Sequence, residues 1–303
     1  MAYGRISRRR SYRKRPTGRK SRRTIRRTIT RYRKKTRGRK MTRRGVLNIS
    51  SRKKRDTMLS VTNVAVPQAP ISTTLNGGYA ELQGALGDYV FLFAATARQK
   101  ISNASTKSSV SDTASRTAST CYMRGLKERW DISTTSGTPW KWRRIVFTLK
   151  GTAAVFADLA TEPIVVRDPV NGYLRPITNL LTNRATLESY IFRGTTGIDW
   201  NDHMIAPLDN DRVTVLHDST KLLNAGNERG VTRTNKYWHG FNKNLEYDDD
   251  EVGGTETNNS FSTLGKKGLG DVLVADFVSP AQGSLTTDRM FVKVASTLYW
   301  HER

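Results

Sequence analysis

From residue 56 onward, apolar residues fall in short runs of strand length separated by Gly, Pro, Asn and Ser/Thr, and helical periodicity is scarce. Met58–Val66 alternates loosely up to Pro67, and Tyr89–Ala95 is a continuous apolar run. Cys121–Ser133 and Trp140–Leu149 predict two strands joined through the turn Gly137-Thr138-Pro139. Further strands are predicted over Pro163–Val166, Tyr173–Leu181, Leu187–Phe192, Arg212–His217, Val231–Tyr247 and Asp271–Ser279. Arg289–His301 alternates most clearly, with Met290, Val292, Val294, Leu298 and Trp300 on one face. Turn residues at Asn76–Gly78, Asn171-Gly172, Gly194, Asn224–Gly226, Gly253-Gly254 and Gly265–Gly270 punctuate these runs. The best helical stretch is Ala153–Leu159. Many short strands with long polar loops predict an all-β fold, a single antiparallel sandwich or barrel over residues 56–303. Between residues 102 and 120, 11 of 19 positions are Ser or Thr, which predicts a long exposed loop.

The first 55 residues follow no such pattern. Between Arg5 and Arg55 stand 26 Lys or Arg, and no acidic residue precedes Asp56. The whole chain has 52 basic and 26 acidic residues, so its net charge of +26 sits on this arm and the rest balances. A cation at nearly every second position cannot be buried in a core, which predicts a disordered arm that needs a polyanion. As a solubilising tail it would only repel itself. As a mitochondrial import peptide it lacks an amphipathic apolar stripe.

A nucleic-acid arm fits best. Arg outnumbers Lys, and the guanidinium fork matches phosphate oxygens. The candidate phosphate contacts are Arg5, Arg8, Arg9, Arg10, Arg13, Lys14, Arg15, Arg19, Lys20, Arg22, Arg23, Arg26, Arg27, Arg31, Arg33, Lys34, Lys35, Arg37, Arg39, Lys40, Arg43 and Arg44. Tyr3, Tyr12 and Tyr32 are interleaved and able to stack on unpaired bases. No base-reading motif is present, so binding is expected to be salt-sensitive and indifferent to sequence. Arg8–Arg10, Arg13–Arg15 (with Lys14) and the run Arg52, Lys53, Lys54, Arg55 also have the composition of nuclear import signals, with host import receptors as the implied partners.

Little else in the chain points to chemistry. No apolar run reaches the length of a membrane span. The single cysteine, Cys121, excludes an intrachain disulfide and reads as a small buried residue. His203, His217, His239 and His301 show no ligand spacing, and Asp199, Asp202 and His203 make a weak metal or nuclease trio. Asp248–Glu251 reads as a solvated acidic loop, with cation ligation the sharper alternative. The six tryptophans read as core or interface anchors ahead of base-stacking groups. Neither a cofactor nor an active site is expected.

Three blocks carry a resemblance. Cys121–Glu128 (CYMRGLKE), Pro139–Phe147 (PWKWRRIVF) and Leu245–Glu251 (LEYDDDE) resemble the capsid proteins of genomoviruses, small viruses with circular single-stranded DNA. The likeness runs over nearly the whole chain, from the basic arm to a closing strand around Phe291–Trp300. It implies a viral jelly roll and self-assembly of roughly sixty copies into a small icosahedral shell. It also implies a packaged single-stranded DNA genome, assembly in the host nucleus and an outward-facing loop at 102–120. From another class, a cellular RNA- or DNA-binding protein with a basic tail, of ribosomal or chromatin type, remains open; it would form no shells.

Overall fold

The computed structural model describes residues 41–64, 74–102, 106–156 and 162–303. Its strands begin with β1 (Arg52–Met58), β2 (Ser60–Thr62), β3 (Ala80–Gln83), β4 (Tyr89–Ala94), β5 (Thr120–Thr134), β6 (Trp140–Leu149) and β7 (Val166–Asp168). They continue with β8 (Gly172–Ile177), β9 (Thr214–Leu223), β10 (Thr232–Glu246), β11 (Glu251–Val252), β12 (Thr255–Glu256), β13 (Asp271–Pro280) and β14 (Arg289–Glu302). The α-helices are α1 (Arg43–Ser50), α2 (Thr152–Val155) and α3 (Thr182–Ile191). None of them is long and apolar enough to cross a membrane.

Two antiparallel sheets carry the fold, an all-β sandwich. One has the order β1-β14-β5-β10, with β3 also on β14; the other has the order β4-β13-β6-β9. Between them, Leu126, Leu298 and Trp300 of the first sheet pack on Phe93, Val146 and Val274 of the second. Farther along, Trp130 and Val292 meet Phe91, Trp142 and Val278. The outer side of the second sheet is covered as well. Val90, Leu92, Ile145, Phe147, Leu273 and Phe277 lie under Leu187, Ile191 and Phe192 at α3 and under Trp200 and Met204. Burial on both faces explains why β4 reads as an unbroken apolar run and β13 as one broken by Asp276. The first sheet keeps one face in water, and β14 alternates accordingly.

The sheets are also joined by charge. Glu128 of β5 accepts from Arg144 of β6 at 2.6 Å and from Arg175 of β8 at 2.9 Å. Asp276 of β13 pairs with the same two guanidinia at 2.7 and 3.3 Å. All four side chains are at most 1 % exposed. Ser296 and Trp130 donate to Glu128, and Trp142 donates to Asp276. Arg144 also lies over the rings of Trp130 and Tyr237, each 4.6 Å from the ring centre. Burial works to raise the Glu128 carboxyl, but Arg144 and Arg175 outweigh it and hold the group well below the usual carboxylate range.

Some sequence expectations change here. Leu187–Phe192, expected as a strand, belongs mostly to α3, whose first amides are capped from outside the segment. Glu162 accepts from the backbone N–H of Leu181, Thr182 and Asn183 at 2.8, 2.6 and 2.9 Å. Order also begins ahead of residue 56, because α1 and β1 take up residues 43–58. The boundary drawn from charge at 55/56 falls inside β1. Of the expected helix over Ala153–Leu159, α2 supplies the first turn, and residues 157–161 lie outside the described residues.

Candidate nucleic-acid interface

The arm residues from Arg5 to Lys40 lie outside the described residues. What the structure places is the root of the arm. Thr42 caps α1 by accepting the Gly45 N–H at 3.2 Å, and Arg43 on its first turn is exposed. Arg44 occupies the next helical position. β1 then runs antiparallel to β14, with Lys53 opposite His301 and Arg55 opposite Tyr299.

A strand sends alternate residues to opposite faces, and this splits the Arg52–Arg55 cluster. Arg52, Lys53 and Arg55 are exposed, whereas Lys54 is 4 % exposed. Its ammonium lies 3.0 Å from Glu302 and donates to Ser115 O and Thr117 Oγ1 at 2.8 and 3.0 Å. Glu302 is held below the ordinary range because donors from Thr117 and Trp300, with Lys54, outweigh the effect of its burial. Lys54 is therefore a structural cation, out of reach of an import receptor or a phosphate. Replacing Lys54 by Ala should cost about 2–3 kcal/mol in a denaturant titration, since it strands a buried carboxylate. Lys53→Ala should stay within about 0.5 kcal/mol of wild type; equal losses would contradict the assignment.

The water-exposed face of the first sheet is cationic. Its outward positions carry Lys53 and Arg55 on β1, Lys293 on β14, Arg124, Lys127 and Arg129 on β5, and Lys236 on β10. The carboxylates on this face are Asp131, Glu246 and, on β3, Glu81, which Arg289 neutralises at 2.8 Å. Among the described residues none of those seven cations forms an ion pair; the pairs present are made by other side chains. At the arm root the face deepens into a cleft of about 1300 Å³, lined by α1, Lys53, Tyr122, Arg124, His301 and Arg303, with no Asp or Glu in its lining. Burial, then Lys53 and Arg124, push His301 below its ordinary value, so it stays neutral and adds a ring to the cleft.

The other candidate groups have structural partners. Asp249, in the expected solvated acidic loop, is 1 % exposed in its side chain and is held by Arg116 at 2.5 Å and Lys100 at 3.1 Å. Arg116 is itself buried over the Tyr247 ring, 3.8 Å from its centre, which pins the end of the Ser/Thr-rich loop. Asp199 and Asp202 accept the backbone N–H of Thr195 and Met204, the work of turn caps. Among the described residues no group of three or more His, Cys, Asp or Glu is placed to hold a metal ion. Cys121 is buried, and burial together with the Glu302 carboxylate pushes its thiol far up. Trp130, Trp140, Trp142, Trp200 and Trp300 are buried. Trp238 is not, although the sequence pattern groups it with the others.

The chain matches no family model, and no curated protein is similar to it.

Proposed function

We propose that this chain is a viral coat protein that assembles through its β body and packages circular single-stranded DNA through its cationic arm. The order of the strands carries the reading. Counting β1, β4, β5, β6, β9, β10, β13 and β14 as first to eighth, one sheet runs first-eighth-third-sixth and the other second-seventh-fourth-fifth. That is the order left when a long antiparallel ribbon rolls up into a jelly roll, a fold of capsid shells. Charge gives the fold its cargo. Roughly sixty arms of 26 cations would offset about 1.5 kilobases of single strand, the order of a minimal circular genome. The blocks that resemble genomovirus capsid proteins point the same way. Glu128 and Arg144, one in each of two such blocks, meet in the buried charge network.

Electron microscopy of the full-length protein expressed in insect or bacterial cells tests the proposal. The expected result is closed shells of one size that hold nuclease-protected nucleic acid. Monomers or small open oligomers at every salt concentration would refute it and favour a cellular basic-tailed binder.

A further inference from the structure

Trp238 is 53 % exposed on the cationic face, while the other five tryptophans are 8 % exposed or less. Its seat is made for it. In register Trp238 lies opposite Lys127, yet its indole leans along β5 to Gly125, a residue with φ +157. A Cβ at position 125 would come within 2.8 Å of Trp238 Cζ2 and 2.4 Å of the His239 carbonyl, so only glycine leaves room for the ring there. From the other side Tyr299 of β14 stands opposite Gly125, and the two ring centres are 5.8 Å apart at 60°. Two rings from the strands on either side of β5 thus meet over its glycine, with one large indole surface left to water. The rim is basic: Arg55 is opposite Tyr299, Lys127 is opposite Trp238, and Arg129 faces Lys236.

We propose that Trp238 and Tyr299 form a stacking platform for unpaired bases of a single-stranded polynucleotide, with Arg55, Lys127, Arg129 and Lys236 holding the flanking phosphates. Charge decides the occupant. Unpaired cations around exposed rings fit a polyanion with π-faces, whereas duplex DNA offers phosphates but keeps its bases stacked inside. The platform adjoins the cleft at the arm root, one side-chain repeat along the strands from the Lys53–His301 pair. A strand drawn in by the arm would reach it next. The inference rests on the packaging proposal and adds a contact on the folded body that binds bases as well as charge.

The test uses the full-length protein, oligo(dT), oligo(rU) and a duplex of equal length. Oligo(dT) should quench tryptophan emission, the duplex should not, and Trp238→Phe should abolish the quench. At high salt, where phosphate contacts are weakest, Trp238→Ala should lower oligonucleotide affinity about 5- to 150-fold. Photocrosslinking to 5-bromodeoxyuridine should place adducts on the peptides containing Trp238 or Tyr299. Equal effects of oligo(dT) and oligo(rU) would mean that the platform takes either nucleic acid; a preference for one would name its source. If wild-type protein bound oligonucleotide with a steep salt dependence but the quench survived in Trp238→Phe, this inference would fall and packaging would stand. If wild-type protein bound no oligonucleotide at all, both would fall. If Trp238→Ala changed the sedimentation of nucleic-acid-free protein and left oligonucleotide binding intact, the face would be a contact between copies and the platform would be overturned.

Discussion

Replacing Glu128 with alanine should lower the free energy of unfolding by about 3–5 kcal/mol, as breaking a buried ion pair from one side does. The cost comes from what is left behind. Arg144 and Arg175 would face the single carboxylate of Asp276, with no water to solvate the surplus charge. Ser296 and Trp130 would lose their acceptor. Because Glu128 bridges β5 to β6 and β8, the loss falls on the contact between the sheets. Glu128→Gln keeps the volume and should cost less. Urea titrations of unassembled protein measure both, and a loss below about 1 kcal/mol for the alanine variant would mean that the network contributes little. The pH dependence has a definite sign. The folded-state pKa is depressed, so the stabilisation is fully present above the ordinary carboxylate value and is lost as pH falls toward the folded one. The gap between wild type and Glu128→Gln should narrow in acid.

Deleting residues 1–40 should lower affinity for single-stranded DNA by on the order of a thousandfold or more near physiological salt, with the body still folded. The deletion removes 20 of the 26 arm cations, that is 26 less Arg43, Arg44 and the four at Arg52–Arg55. Each phosphate that the shortened chain leaves unneutralised should flatten the log–log salt dependence by about 0.7 for a single strand. Filter binding across a salt series gives both quantities, and a truncated protein that kept affinity within about tenfold would remove the arm as the main binding element. The cut must stop there. Deletion to residue 55 would also take β1's first residues and the Lys54–Glu302 pair, confusing a binding loss with a folding loss.

Much of the sandwich could be read from the sequence because burial wrote itself into local pattern. Trp140–Leu149 and Asp271–Ser279 carry apolar residues at successive as well as alternate positions, since both faces of their sheet are covered, and β6 and β13 follow those limits to within one residue. Arg289–His301 alternates because one face of its sheet is wet. The misses come from partners far away in the chain. β1 reads Arg-Lys-Lys-Arg-Asp-Thr-Met, a solvated run, until Glu302 and Arg98 neutralise its inward Lys54 and Asp56. Likewise α3 depends on Glu162 for its cap, some twenty positions upstream. Within the import cluster, strand parity turns Lys54 inward and leaves Arg52, Lys53 and Arg55 exposed. Parity could also have singled out Trp238, whose neighbours Tyr237 and His239 point inward toward Trp142 and His217.

β14 has a further consequence in time. It occupies an inner place in its sheet, with β1 and β3 on one side and β5 on the other, and it follows every other strand in the chain. During synthesis the edges of β1, β3 and β5 must wait, unpaired, until the ribosome has delivered the residues after 288. Such long-range closure is slow and leaves strand edges open to other chains. Until β14 has emerged, crowded nascent chains can pair through those edges, so the last strand to be made is also the one that closes the body against its neighbours.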